Sequence, residues 1–223
     1  MISLNAEILP GLSFYVFNLF YACVFLFTLY RAPWHKLRVN QGLQHLCFGA
    51  TVLLVIIWSI RADLSEGVSI HFLGMTALCL VLGWDLAIVC GSVALALIAL
   101  FSGGDWSNFA ANGVLTILLP VAVTQLVMLW VTKTMPKNFF VYLFVCGFFC
   151  AGLSAALTGL SVSLTLWLTD VYPWFKIEQD IVTIIILTIF PEGLLNGILL
   201  TAIMVFYPDW IRSFDAKAYI DDQ

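Results

Sequence analysis

Near its C-terminal end the chain reads TIIILTIFPEGLLNGILLTAIMVF, an apolar stretch with a carboxylate in its middle. Glu192 falls about eleven residues into an apolar segment over 181–206, roughly 16 Å from its start at ~1.5 Å per residue. That is near the midplane of a hydrocarbon core ~30 Å thick. A charged side chain at that depth costs several kcal/mol, so Glu192 must face protein or a cavity. Pro191 removes a backbone donor beside it. Gly193 and Gly197 (G-x-x-x-G) permit close helix approach, and Asn196 lies one turn on, on the same face. Two chemistries fit this pattern: a hydrogen-bonding anchor between helices, and a station on an ion or ligand path. We favour the anchor, expect Glu192 to bond polar groups of neighbouring helices, and expect Gln to replace it at little cost.

A second constellation is GGDWSNFAANGVLTILLP. Asn108 and Asn112 are spaced i,i+4 and share a face, and buried amides must be bonded. They read as packing contacts or as the lining of a polar site. The third is SEGVSIHFLGMTALCLVLGW. Its His71 is followed by Gly74 and Met75 at i+3 and i+4, and an imidazole with a thioether suits a soft or borderline transition metal. The other reading of His71 is a hydrogen-bonded core residue. His35 and His45 belong to the opposite side of the membrane from His71. With three histidines so divided, no nucleophile–base–acid set emerges, and we expect no enzyme. Asp85, beside Trp84 at a turn, reads as an interfacial residue.

The elements that must position these residues are membrane helices. Of 223 residues 62% are hydrophobic and only 10% charged, where a soluble domain has about a quarter charged. Mean hydropathy is +1.04. Too little polar side chain exists to cover a water-facing surface. The fold class expected is all-α, a polytopic membrane protein in contact with lipid, with residues 1–223 as one integral-membrane domain and no soluble domain. Seven apolar segments can be drawn, at about 9–30, 43–60, 68–82, 84–101, 109–132, within 138–168, and 181–206. The third is short for a lipid-facing span, and we expect it to be buried, tilted or broken. Seven spans put seven basic residues (Arg31, Lys36, Arg38, Lys133, Lys137, Arg212, Lys217) on one side and only Arg61 and Lys176 on the other. The side richer in Lys and Arg is cytoplasmic, which sets the N-terminus outside and the C-terminus in the cytoplasm.

The six cysteines all lie in apolar runs without a C-x-x-C pair and read as small packing residues. No basic block points to nucleic acid, and the N-terminus lacks the basic region and cleavage site of a secretory signal. No G-x-x-x-x-G-K-[ST] stretch occurs, so ATP-driven work needs a partner.

The same stretches resemble the CbiM/NikM family, the substrate-capturing integral-membrane permeases of energy-coupling factor transporters for cobalt and nickel. ILPG at 8–11 is similar to the end of the family's M-H-I-x-E-G-x-L-P. His71-Phe-Leu-Gly74 is similar to S-H-x-x-G, and GGDWSNFAAN at 103–112 to the family's glycine- and asparagine-bearing stretch, with Asn112 matching its Asn and Pro120 the following proline. FPEGLLNG at 190–197 resembles P-x-A-x-x-E-G-L, with Glu192 and Gly193 matching. The resemblance implies a divalent transition metal ion as substrate, a coupling transmembrane protein and cytoplasmic ATPase subunits as partners, and a bacterial inner-membrane location. It implies metal ligation by the amino end of the chain, Met1 here, and by His71. The chain departs from the pattern at Ile2, where the family has histidine, at Ser102, again in place of histidine, and at Glu7, which only imperfectly stands in for the motif's glutamate. The scaffold is kept while the ligand set is thinner.

Overall fold

A computed structural model describes residues 2–4, 9, 11–65, 68–101 and 106–213. Six helices are long and apolar enough to cross a membrane. They are α1 (Gly11–Arg31), α3 (Gln41–Ser59), α5 (Trp84–Phe101), α6 (Phe109–Thr134), α7 (Phe139–Leu168) and α8 (Trp174–Phe206). Two shorter α-helices are α2 (Trp34–Val39) and α4 (Met75–Leu82). Side chains such as Leu12, Leu19, Phe101 and Leu187 are largely exposed, as expected where the outer surface meets lipid rather than water.

Local chemistry sets the helix ends. Asn40 accepts from the Leu43 N–H at the start of α3, and Asn138 from the Phe140 N–H at the start of α7, each supplying an acceptor to the unpaired first turn. Gly83 separates α4 from α5 at φ +83°, a left-handed conformation that other residues resist. Three long helices contain a wider π turn, at Gly113–Leu118, Tyr142–Phe149 and Glu178–Val182. The first ends just before Pro120, whose missing N–H interrupts the ladder. α8 runs through Pro191 unbroken.

Six of the seven expected apolar segments are these long helices. The third is different. Residues 68–70 are a strand, 71–74 an irregular strap, and only eight residues, Met75–Leu82, are helical. Among the described residues six helices are thus long enough to span, and the third segment supplies only the short α4. Every residue of α4 is buried, packed by α5, α6, α7 and α8. Non-helical backbone at membrane depth is tolerated where it is buried in protein or lines a water-filled cavity; His71, Leu73 and Gly74 of the strap are buried, while the Phe72 side chain is exposed.

At one end of the bundle three short strands form an antiparallel sheet in the order β1-β3-β2, with β1 Ile2–Leu4, β2 Ala62–Ser65 and β3 Val68–Ile70. β1 pairs with β3 in the register Ile2↔Ile70, Ser3↔Ser69, Leu4↔Val68. Leu4 and Val68 sit in an apolar cluster with Leu115, Leu166 and Ile177. A larger cluster surrounds α4.

The opposite end holds a contact between distant parts of the sequence. Arg212 Nη1 meets Asp85 Oδ1 at 2.6 Å and the Leu82 carbonyl at 3.1 Å. Asp85 is buried and ion-paired at this end of the bundle, a partner that the sequence did not reveal. Four of the six cysteines are buried and all six are free, in keeping with packing roles.

Candidate functional site

The strap 71–74 connects the sheet to α4 and is held at several of its polar groups. Glu192 takes two of its N–H groups: Leu73 donates to Oε2 and Gly74 to Oε1, each at 2.9 Å. Asn196 Oδ1 accepts from the Ala77 N–H at 2.9 Å, and its Nδ2 donates to Glu192 Oε1 at 2.8 Å. Trp58 Nε1 donates to the Leu73 carbonyl at 2.9 Å. Gly74 stands at φ +67°, which lets the chain turn from strand to helix while aiming its N–H at the carboxylate. The first N–H groups of a helix have no partner of their own, and a carboxylate there also opposes the positive end of the helix dipole. Glu192 and Asn196 act as a cap for α4 supplied from another helix. The expected anchoring role of Glu192 has this geometry, with backbone N–H groups as its partners. Close approach matters as well: a Cβ on Gly193 would lie 2.9 Å from the Phe148 carbonyl, so only glycine lets α8 meet α7 here.

Asn112 performs the matching task for the sheet. Its Oδ1 accepts from the Leu4 N–H at 2.9 Å and its Nδ2 donates to the Leu4 carbonyl at 2.8 Å. A side-chain amide thus pairs with the outer edge of β1 at Leu4 as a further strand would. Ser3 and Ser69 hydroxyls meet at 3.1 Å across the β1–β3 pair. Asn108 is buried at the head of α6, and its backbone carbonyl accepts from the Asn112 N–H at 2.9 Å. Asn112→Ala deletes both bonds to Leu4. We expect β1 to loosen by about 1–3 kcal/mol, read as faster amide exchange in the N-terminal peptide while α8 peptides stay protected. Unchanged exchange in that peptide would contradict the docking role.

His71 lies between these two clusters. It directly follows Ile70, whose partner is Ile2. Its Nδ1 lies 2.9 Å from the Phe72 carbonyl, so that nitrogen carries the hydrogen and Nε2 keeps the lone pair. This is the tautomer of a histidine ligand whose other nitrogen is oriented by a backbone carbonyl. The ring packs 5.6 Å from that of Trp58. Met75 does not extend the site as helical spacing had suggested, because residues 71–74 are not helical. Its thioether lies against Gly91 in the core. Met1 lies outside the described residues. Among the described residues no group of three or more His, Cys, Asp or Glu could hold a metal ion. One imidazole alone is too small a donor set for tight nickel or cobalt binding.

Residues 4–210 match the model of the CbiM family, described as the cobalt uptake substrate-specific transmembrane region. The chain belongs to the CbiM family. No curated protein and no solved structure matches it. It is thus an integral-membrane protein of a family of cobalt-uptake components. Its separated motifs converge in space: Asn112 docks the N-terminal strand, His71–Gly74 is the strap beside that strand, and Glu192 holds the strap's far end. Sequence reasoning missed Trp58 and the Ser3–Ser69 pair. Neither carries a spacing signal, since their partners lie on other elements. Among the described residues, three large lateral cavities lie beside α3 and a fourth between α7 and α8, and none of them is lined by His71, Asn108 or Asn112.

Proposed function

We propose that this chain is the substrate-binding membrane component of an energy-coupling factor uptake system for a divalent transition metal ion of the cobalt or nickel class. The observation that carries the reading is the His71 arrangement within a CbiM family chain: a lone pair on Nε2, a carbonyl holding Nδ1, and a docked N-terminal strand that pairs with the residue before it. His71 is one ligand, and Met1, through sulfur or nitrogen, is the second contributor. Six of the described basic residues lie toward the end of the bundle that carries Arg212, and Arg61 and Lys176 lie at the sheet end. That asymmetry supports a sheet facing the outside of a bacterial inner membrane and Arg212 facing the cytoplasm. A coupling membrane protein and ATPase subunits supply the energy, because the sequence has no nucleotide-binding motif of its own. The whole chain serves as one membrane domain.

Titration calorimetry of Ni²⁺, Co²⁺, Cu²⁺ and Zn²⁺ tests this. His71→Ala should weaken binding of the preferred ion by about tenfold or more, since outer partners of a ligand already carry 10- to 100-fold effects. Equal affinity in wild type and variant removes His71 from the site. Absence of binding by wild type for all four ions removes the metal reading.

The thin donor set favours a second reading, a membrane binding or scaffold protein on the same fold without a transport cycle. Metal accumulation by cells expressing the chain, with and without coupling and ATPase subunits, separates the two. Only a transport component gives accumulation that depends on them.

A further inference from the structure

α3 packs on α5, and α8 packs on α7. Between α3 and α8 a groove remains, with α4 as its floor. Its apolar slot has a volume of about 490 Å³. It follows α3 from Gly42 to Ile57, about 22 Å at ~1.5 Å per residue. Leu199 and Ile203 of α8 form the facing wall, and Ala77 and Leu78 the floor. The slot opens into a mouth of about 660 Å³ at the end of the bundle that carries α2. Lys36, Asp209 and Arg212 line that mouth. Slot and mouth share Gly42, Leu46, Val81 and Trp210, so a mouth lined by charged residues adjoins an apolar slot.

We propose that this groove binds one glycerophospholipid with a primary ammonium headgroup, of the phosphatidylethanolamine class, from the leaflet at the α2 end. One of its two acyl chains fills the slot. The phosphate sits with Lys36, and the ammonium reaches Asp209. Dimensions and charge both favour a lipid. One hydrocarbon leaflet is ~15 Å deep, so a chain entering at the mouth stays within the slot's length. A mouth bearing both signs matches a zwitterion better than an acidic headgroup, since Arg212 already faces Asp85. The chain would lie against Gly74 and Ala77, the residues whose N–H groups Glu192 and Asn196 hold. The lipid would thereby join α3 to the α4–α8 unit.

Native mass spectrometry tests this on protein released from phosphatidylcholine nanodiscs containing phosphatidylethanolamine or phosphatidylglycerol. We expect one phosphatidylethanolamine retained per chain. A Cβ on Gly49 meets nothing within 4 Å, so Gly49→Phe enters the slot without a backbone clash. It should lower retention by about tenfold, the loss from roughly two displaced methylenes. Lys36→Glu should do so by about tenfold through the headgroup. Lys133→Glu, at the same end of the bundle but outside the groove, should leave retention unchanged. Should Gly49→Phe misfold, Ala50→Leu narrows the same slot and gives the same readout. Wild-type retention in the slot variant overturns the proposal, as does equal retention of all three headgroups. Cross-linking of Gly49→Cys to another membrane protein in cells also overturns it, since a protein segment then fills the groove.

Discussion

Glu192→Leu should destabilise the purified protein by about 3–5 kcal/mol, the largest loss expected from one side chain in this fold. The substitution leaves the Leu73 and Gly74 N–H groups and one Asn196 hydrogen without their acceptor, all inside the bundle. Each buried unsatisfied group costs about 1–3 kcal/mol. Glu192→Gln is the informative comparison. Every contact around Glu192 donates to it, and an amide turns one acceptor into a donor. Placed toward Leu73, the new NH₂ faces an N–H and loses one bond. Placed toward Gly74, it also faces Asn196. The milder orientation costs about 1–3 kcal/mol, so Gln is not the near-neutral replacement that sequence alone suggested. Thermal unfolding in detergent of wild type, Gln and Leu variants should rank in that order. A Gln variant that melts with wild type would show that the three donors are satisfied otherwise. A Gln variant as damaged as Leu would show that negative charge at the α4 N-terminus outweighs the individual hydrogen bonds.

The fold was legible wherever the signal was long and apolar. Segments such as 84–101 needed nothing beyond hydropathy and length, and α5 has those bounds. The strap could be read only as a shortage: 68–82 was too short to span, and the chain there is strand, turn and buried helix. The β1–β3 pairing carries no such mark, because three-residue strands are too short to show alternation. Glu192, Asn196 and Asn112 were legible as polar groups in apolar surroundings, which must find partners. Their partners were not, because they are backbone groups of other elements and no side chain advertises them. Asp85 illustrates the same limit, lying 127 positions before the Arg212 that neutralises it. Ionic pairing across such a span leaves no local pattern, and a carboxylate beside a tryptophan at a turn looks interfacial.

Arg212→Met should cost about 2–4 kcal/mol, less than removal of a partner from a fully buried pair because the arginine is 44% exposed. Two contributions add. Asp85 is left buried with its charge facing only the Leu86 N–H. The C-terminal end of α4 also loses an acceptor's partner, since Nη1 bonds the Leu82 carbonyl. The rest of that end stays capped by the segment after α8: the Arg212 N–H donates to the Val81 carbonyl and Ser213 Oγ to the Leu80 carbonyl. α4 thus has a carboxylate at its N-terminus and a guanidinium at its C-terminus, the signs its dipole favours, and both come from residues 192–213. A double variant, Asp85→Leu with Arg212→Met, separates the contributions. It removes the unpaired charge while the Leu82 carbonyl stays unbonded, so it should recover much of the loss. Melting of all three variants in detergent decides. If the double variant is no better than Arg212→Met, the lost cap dominates. If Arg212→Met alone melts with wild type, the ion pair does not hold the end of α8 against α4.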